Sequence, residues 1–397
     1  GYFAFILLFV GFSLLVPSLL VHMGNTLSPL LRRFAGVTAY LAARYVRDSG
    51  HRTAVSVGAL ITAVAFFSSL VIMIHSFRRT VEIWTYQTIS GDLFLTPKLN
   101  EINQFRHPIP RQVAAWFQSL DREIEIVPNR RYFLRYDNFP YEFEALDLDV
   151  FLKYADFFWM KGKPDKIRSR LRRGEGVIIS EVFSNRTGLT VGDTFKARIE
   201  TSLVELPVLG VVRDYRTQGG VVFYSLRHFK ARYHDPRWGG LRVYFRDRNQ
   251  DLGRAVADLR TKIIERWGGD LDLISGENLR ASLLRVFDET FAVTTVLLLI
   301  DLGIAALGIA TTLSVVVLER SRQLNTLFAI GAGFGQIRSM IFWEAAFMVV
   351  AGELAGIVCG FILSYLLVYV INRQSFGWTF LYGVDWGALG MSLPLII

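Results

Sequence analysis

The chain has 397 residues, of which 52% are hydrophobic and 20% are charged, and its formal net charge is +9. This basic balance does not indicate a nucleic-acid partner, because the sequence has no dominant basic arm and no recognition motif for nucleic acid. The single cysteine, Cys359, excludes a disulfide within the chain, and its place in an apolar run indicates a small buried hydrophobe.

Long apolar runs predict membrane spans. They cover residues 2–23, 54–74, 291–318 and 345–371, and each reaches the roughly 20 residues that a helix needs to cross a bilayer. A fifth run, 386–397, is too short to cross. Because the chain also begins inside an apolar run without an initiator Met, we expect an internal piece of a longer polytopic protein, truncated in its last span.

Charge sets the expected orientation. The segment between the first two spans, 24–53, contains one acidic residue, Asp48, and five arginines: Arg32, Arg33, Arg44, Arg47 and Arg52. The segment between the third and fourth spans, 319–344, carries Arg320, Arg322 and Arg338. By the positive-inside rule both segments are predicted to be cytoplasmic, and the even number of crossings between them makes the two assignments agree.

These assignments divide the chain into segments. In order, we predict a connecting span (1–23), a cytoplasmic basic amphipathic segment (24–53), a span (54–77), a large extracytoplasmic domain (78–287), a span (288–318), a cytoplasmic helix and turn (319–344), a span (345–371), a short external loop (372–385) and the start of a truncated span (386–397). Within the basic segment, residues 29–48 have the periodicity of one amphipathic helix lying along the inner interface. A connecting helix packed on neighbouring spans is an equally open interpretation.

The large domain has the periodicity of a mixed α/β fold. Short alternating runs predict strands at residues 90–96, 176–180, 193–200, 206–215, 220–226 and 240–247. Runs with helical periodicity predict amphipathic helices at residues 110–123 and 251–269. The basic run 161–176 is interpreted as a solvated loop, with contact to anionic headgroups or an acidic partner as the alternative. His228, His234 and Asp235 fit no common zinc spacing, so no metal site is expected.

The segment 319–344 is too polar for hydrocarbon and too short for a domain. The apolar positions that share one face of a predicted short helix are Leu324, Leu327, Phe328 and Ile330. A sharp turn before the next helix, which is predicted to begin at Gln336, is permitted by Gly331, Ala332, Gly333 and Gly335. A short amphipathic helix at the cytoplasmic face suits docking into a groove of a cytosolic partner.

The order of an apolar span, VLERSRQLNTLFAIGAGFGQI and a second apolar span resembles the FtsX-like permease domain of MacB- and LolC-type (type VII) ABC transporters. The matching positions are Glu319, Arg320, Ala329, Gly331, Ala332, Ile337 and Glu344. LAARYVRDSGHRTAVSVGALITAVAFF resembles the basic entry to the first span of such a permease half. TISGDLFLTP and GVIISEVFSNRTGLTVGDTF resemble parts of its extracytoplasmic domain, so the resemblance covers nearly the whole chain from Leu41 onward.

The resemblance implies a fold class and a location. The fold is a polytopic α-helical membrane protein with a large mixed α/β extracytoplasmic domain inserted between the first and second spans of an FtsX-like permease half. With the connecting span, it implies the second half of a ten-span permease in the bacterial inner membrane. The domain is expected on the periplasmic or extracellular side.

The resemblance also implies a transport component and no enzyme, with no catalytic residue and no metal or cofactor in this chain. ATP and Mg are expected on a cytosolic ABC ATPase dimer. The other implied partners are the first permease half of the same polypeptide, the lipid membrane and a periplasmic or membrane-associated cargo or adaptor protein. Contact with the ATPase is expected at Glu319, Arg320, Gln323, Leu324, Leu327, Ala329, Gly331, Ala332 and Gln336. Gln323 and Asn325 depart from the acid and glycine that the family often has there, which predicts weaker docking in this half.

Two features lie inside the predicted spans. Asp301 and Glu353 invite the hypothesis of a proton relay, although an interhelical hydrogen bond or a position nearer the headgroups is the favoured interpretation. Gly352, Gly356 and Gly360 recur every four residues and predict close packing against another span of the same bundle in preference to homodimerisation.

The resemblance further implies that ATP-driven motion reaches the extracytoplasmic domain and serves export or extraction of lipid, lipoprotein, peptide or amphiphilic drug. The alternative is an ATPase-linked membrane scaffold that regulates a cell-wall hydrolase or senses a ligand. An ion-coupled carrier that uses Asp301 and Glu353 is disfavoured by the large domain.

Overall fold

The structure is a computed structural model that describes residues 2–34, 36–48, 50–100, 102–105, 107–120, 122–199 and 202–390. The chain forms two compact units. The helical unit comprises Gly1–Phe77, Asp288–Asn372 and Phe380–Ile397, and the sheet unit comprises Arg78–Phe287 and Arg373–Thr379.

The helices and strands have the following bounds. The helices are α1 (Tyr2–Phe34), α2 (Gly36–Asp48), α3 (Gly50–Thr88), α4 (Arg111–Ser119), α5 (Leu148–Tyr154), α6 (Pro164–Arg172), α7 (Glu181–Thr187), α8 (Leu226–Tyr233), α9 (Leu252–Trp267), α10 (Gly276–Glu319), α11 (Ser321–Ala329), α12 (Phe334–Leu366), α13 (Asn372–Phe376) and α14 (Trp386–Gly390), with a π-helical turn at Leu367–Ile371. The strands are β1 (Leu93–Pro97), β2 (Ile124–Tyr136), β3 (Phe139–Leu146), β4 (Phe158–Lys161), β5 (Val177–Ser180), β6 (Thr194–Ile199), β7 (Ser202–Arg213), β8 (Val221–Ser225), β9 (Gly240–Phe245) and β10 (Leu271–Ser275).

Four of the described helical stretches are long and apolar enough to cross a membrane: Phe3–Thr26, Ala54–Thr88, Gly276–Glu319 and Phe334–Phe376. The large sheet lies in the chain between the second and third of them. The predicted fold class, a polytopic helical membrane protein with an inserted mixed α/β domain, is confirmed.

In the helical unit, three glycines of α12 let α3 approach closely. A Cβ built at Gly356 would lie 2.6 Å from the Cβ of Val64, and one at Gly360 would lie 2.7 Å from the Cβ of Ser68. At Gly352 the added carbon would lie 2.5 Å from Cδ2 of Leu60. The glycine stripe therefore packs on a helix of the same chain, because only a hydrogen atom fits at these positions.

The segment 29–48 differs from its prediction. The helix of the first span continues through Phe34, and a second helix begins at Gly36, whose φ of +82° lies in the left-handed region. A residue with that backbone conformation interrupts a right-handed helix, so one continuous amphipathic helix is wrong. Of the last predicted span, α14 covers Trp386–Gly390, and residues 391–397 lie outside the described part of the chain.

The sheet unit is built on a ten-stranded mixed sheet. Its strand order is β10-β1-β9-β2-β3-β8-β5-β7-β4, with β6 paired to β7. The pairs β3–β8 and β5–β7 are parallel, whereas the remaining neighbours are antiparallel. In the central strands β3 and β8, alternate residues enter different cores. Phe143 and Val222 belong to one hydrophobic cluster, and Leu146 and Phe223 belong to another. Helices α4 and α9 contribute Val113, Phe117, Leu259 and Ile263 to a third cluster.

The six predicted strands are all present, but the sequence did not predict β2, β3, β4 or β10. The longest of these, β2 and β3, carry buried charged residues that break the apolar alternation. The basic run 161–176 is also different from its prediction, because residues Pro164–Arg172 form helix α6 and not a loop. Ile167 and Leu171 are buried on one side of α6, which leaves most of its basic side chains toward solvent.

Candidate functional site

The candidate site lies around helix α11, where two apolar helices are joined by a short polar one. α10 ends at Glu319, and the backbone N–H of Leu324 donates to the carbonyl of Arg320 at 3.0 Å as α11 begins. α11 ends before Gly331, whose φ of +104° permits the chain to reverse. The side chain of Gln336 accepts a hydrogen bond from the N–H of Gly333 at 3.0 Å, which caps the start of α12. The next helix thus begins at Phe334, two residues before the predicted Gln336.

None of the nine described residues of α11 is buried. The predicted apolar face divides into two parts, because Leu324 and Leu327 are half-buried whereas Phe328 and Ile330 are 58% and 77% exposed. Phe334, at the start of α12, is 76% exposed. Exposed large apolar side chains on both sides of a polar turn are typical of an interaction surface.

An ion pair between the half-buried Arg320 and the buried Glu344 joins the start of α11 to α12. Nη1 of Arg320 lies 3.2 Å from Oε1 of Glu344, and the Glu344 side chain is only 3% exposed. The guanidinium of Arg320 also lies over the ring of Tyr45 in α2, 5.0 Å from its centroid. Arg320, the first residue after α10, therefore contacts both α2 and α12, and these contacts fix the start of α11 to the two helices.

A small pocket surrounds this ion pair. It is lined by Tyr45, Val317, Arg320, Gln323, Leu324, Met340, Ile341 and Glu344. Of the residues predicted to couple to an ATPase, the structure thus brings Arg320, Gln323 and Leu324 together. The others lie on the exposed side or in the turn: Glu319, Ala329, Gly331 and Gln336 are exposed, and Leu327 and Ala332 are half-buried.

The sequence interpretation did not include Tyr45 or Phe334 in the site. Tyr45 lies in the basic segment before the second span, and no local pattern indicates that it meets Arg320. Phe334 falls among the glycines of the turn, where a large apolar residue is a detectable signal. The ATPase-coupling role of the residues chosen from the sequence stays a prediction.

The intramembrane acids lie on different helices. Glu353 of α12 is 4% exposed, and Asp301 of α10 is half-buried. Within the described residues, no group of three or more His, Cys, Asp or Glu side chains could hold a metal ion. His228 Nδ1 lies 3.1 Å from the hydroxyl of Ser225, whereas Asp235 accepts hydrogen bonds from Arg130, Tyr132 and Arg237.

The sheet unit contains a buried charge cluster that the sequence did not reveal. Glu144 is fully buried and lies 2.8 Å from Arg216, 3.4 Å from Arg131 and 3.5 Å from Arg242. Burial alone would raise the pKa of Glu144, but the three guanidinium groups outweigh it and hold the pKa well below its usual range. The neighbouring Glu142 has a raised pKa, because burial there exceeds the effect of Arg216 and Arg131. The cluster links β2, β3 and β9 in the centre of the sheet.

Four apolar helices with a large sheet inserted between the second and third define a multi-pass membrane protein with one folded mixed α/β domain. Residues 295–397, which include α11 and α12, match the family described as FtsX-like permease C-terminal. The carboxyl-terminal part of the chain thus carries the match to an FtsX-like permease domain, and the resemblance predicted from VLERSRQLNTLFAIGAGFGQI is confirmed.

A curated relative supports the same class. The chain is 25% identical over 378 residues to the uncharacterized ABC transporter permease protein Rv0987 of Mycobacterium tuberculosis. The match covers 93% of this chain and 43% of that relative, so the chain spans less than half the length of the protein it resembles. The chain is thus a homologue of part of an ABC transporter permease.

Two solved structures are similar to a part of the chain. The periplasmic region of MacB from Actinobacillus actinomycetemcomitans has a TM-score of 0.34 and 12% identity, over 48% of this chain and 91% of that one. The extracellular domain of the transporter YknZ from Gram-positive bacteria has a TM-score of 0.31 and 11% identity, over 47% of this chain and 99% of that one.

Proposed function

We propose that this chain passes the ATP-driven motion of a cytosolic ABC ATPase dimer to the sheet unit. The observation that carries the proposal is α11, a helix without buried residues that lies between two apolar helices. Exposed apolar side chains accompany it: Phe328 in α11, Ile330 directly after it and Phe334 at the start of α12. An ATPase with a complementary groove would cover these side chains, as amphipathic helices are covered in other complexes. ATP and Mg belong to that partner.

The polar contacts of α11 fit this proposal. A helix that receives force must be joined firmly to the spans that carry it onward. Arg320 meets this need, because its ion pair with Glu344 and its contact with Tyr45 connect α11 to α12 and α2. Motion of α11 is then expected to shift both helices and not merely bend a flexible loop.

The proposed cargo is amphiphilic. We place the sheet unit on the periplasmic or extracellular side, where it would act in export or extraction of lipid, lipoprotein, peptide or amphiphilic drug. Native mass spectrometry of the purified complex distinguishes this role from that of a regulatory scaffold. A bound lipid or lipoprotein supports transport, and a stably bound cell-wall hydrolase favours the scaffold.

Substitutions in α11 test the ATPase contact. Ala329→Arg places a long charged side chain on the exposed surface, and Leu327→Asp places a charge on its half-buried edge. Each is expected to weaken association with the cognate ATPase at least about tenfold, which corresponds to about 1.4 kcal/mol. The measurement is co-purification and binding affinity, together with stimulated ATP turnover.

The matched control is Ala257→Arg, which makes the same change at an exposed position of α9 in the sheet unit. It should leave ATPase binding unchanged. If Ala329→Arg and Leu327→Asp bind and stimulate the ATPase as the unmodified protein does, α11 is not the docking helix. Gln323→Glu, which restores the acid that the family often has, should strengthen binding, and an unchanged affinity would remove the idea that Gln323 weakens docking.

A further inference from the structure

A seven-residue segment that follows the fourth apolar helix belongs to the sheet unit and not to the helical unit. Arg373–Thr379 groups with the sheet unit, whereas Asn372 before it and Phe380 after it group with the helical unit. The segment is covalently continuous with α12 through the π-helical turn, and α12 in turn follows α11 after four residues. Its contacts within the sheet unit therefore concern the route by which motion leaves α12.

The first contact is made by Glu181, at the start of α7. Its side chain is 3% exposed, and its carboxylate accepts a hydrogen bond from the hydroxyl of Thr379 at 2.7 Å and from the backbone N–H of Thr379 at 3.3 Å. Nε of Arg213 lies 3.8 Å from Oε2 of Glu181. Burial raises the pKa of Glu181, although Thr379 and Arg213 oppose the shift. A carboxylate buried in this way is held in place by its partners, because unpaired it would be strongly disfavoured.

The second contact is made by Asn185, one turn further along α7. Its amide nitrogen donates to the carbonyl of Gly377 at 2.7 Å, and its amide oxygen accepts from Nη2 of Arg373 at 3.1 Å. Both polar atoms of the Asn185 side chain thus form hydrogen bonds with the same short segment. Since Glu181 and Asn185 are four residues apart, they lie on one face of α7 and hold the two ends of the segment.

An aromatic contact completes the attachment. The ring of Trp378 lies against Tyr215, with centroids 4.4 Å apart, and the Tyr215 hydroxyl donates to the carbonyl of Thr379 at 3.3 Å. Tyr215 follows β7, so the segment is joined to the sheet as well as to α7. Hydrogen bonds to α7 and to Tyr215, together with one ring contact, thus hold the segment within the sheet unit.

We propose that Arg373–Thr379 is a tether through which displacement of α12 is applied to the sheet unit at α7. The tether adds a third covalent route to the two helices, α3 and α10, that run from one unit into the other. It rests on the proposed function, since it concerns how the ATPase-driven motion is transmitted. Glu181, Asn185 and Tyr215 are positioning residues in this arrangement, and the segment keeps its attachment throughout the cycle.

The tether is tested on the full protein with its cognate ATPase in lipid nanodiscs. One spin label is placed in each unit, and the distance between them is measured without nucleotide and with ATP and vanadate. Glu181→Ala and Thr379→Val each break a contact to α7. We expect the nucleotide-dependent change in distance to fall below half of its original size, while ATPase binding and basal ATP hydrolysis are unchanged.

Conservative variants and a control separate transmission from folding. Thr379→Ser and Glu181→Gln keep a hydrogen-bonding group at each position and should restore the full distance change. Thr261→Val removes an exposed hydroxyl of α9 that donates to the carbonyl of Ala257 in the same helix, and it should leave the distance change unaltered. Because Thr379→Val alters the segment alone and leaves the core of the sheet unit intact, it gives a result even if Glu181→Ala fails to fold.

The two hypotheses fail in different ways. If the unmodified protein binds the ATPase but shows no change in distance with ATP and vanadate, the proposed function is overturned and the tether with it. If the unmodified protein moves and both Thr379→Val and Glu181→Ala move equally far, the tether alone is overturned.

Discussion

Removal of Arg320 is the sharpest test of how α11 is held. Arg320→Ala leaves the carboxylate of Glu344 at 3% exposure without the guanidinium that lies 3.2 Å away, and it removes the contact with the ring of Tyr45. Loss of one partner of a buried ion pair costs about 3–5 kcal/mol, because the remaining charge stays buried. We expect the free energy of unfolding of the chain to fall by that amount.

Arg322→Ala is the matched control. It makes the same substitution two residues further along, at a side chain that is exposed. Exposed substitutions of this kind change stability by about 0.5 kcal/mol or less. The two variants are compared by denaturant unfolding of the detergent-solubilised protein, followed by the fluorescence of its tryptophans, of which Trp343 is next to Glu344 in α12.

A double variant separates the ion pair from the general effect of a truncation. Arg320→Met combined with Glu344→Met removes both charges and keeps most of the apolar volume, so it should be more stable than Arg320→Ala. If Arg320→Ala and Arg322→Ala lower stability equally, the ion pair does not fix α11 to α12. The proposed path from α11 into the spans would then lose its physical basis.

Two further predictions concern packing and pH. Gly356→Ala should destabilise the helical unit by about 1–3 kcal/mol, because the new Cβ would lie 2.6 Å from that of Val64. Gly303→Ala, where no described atom lies within 4 Å of the added carbon, should not, and equal melting temperatures would contradict close packing. The depressed pKa values of Glu144 and Asp235 stabilise the fold above their unfolded pKa values of about 4. Stability should therefore fall as pH drops below about 4, and Glu144→Gln should flatten that loss in acid unfolding curves.

The sequence predicted those parts of the fold that repeat a local pattern. Each apolar helix appears as a long run without charges, and strands such as β5 and β9 appear as short apolar runs. β2 and β3 were missed because Arg131, Glu142 and Glu144 look like solvent-facing residues in a linear sequence. Their burial depends on partners in β9 and in the loop after β7, which no local pattern reveals.

The same limit applies to the candidate site. The polar helix and its glycine turn were predicted from the composition of residues 319–344, and α11 lies within that segment. Which apolar residues face outward was not predictable, since helical periodicity places Leu324 and Phe328 on one face although only Phe328 is exposed. The contacts of the tether could not be predicted from the sequence, because Glu181 and Thr379 are 198 residues apart.

The pairing of β1 with β10 has a consequence for how this architecture can diversify. Leu93 lies opposite Ser275 in an antiparallel ladder, and the N–H of Gly276 donates to the carbonyl of Asp92 at 2.9 Å. The chain thus enters the sheet at β1 and leaves it at the neighbouring strand β10. An insertion whose ends meet can lengthen, shorten or exchange its interior without altering the anchors on α3 and α10. Recombination can therefore exchange the interior of the sheet unit while α3 and α10 keep their sequences.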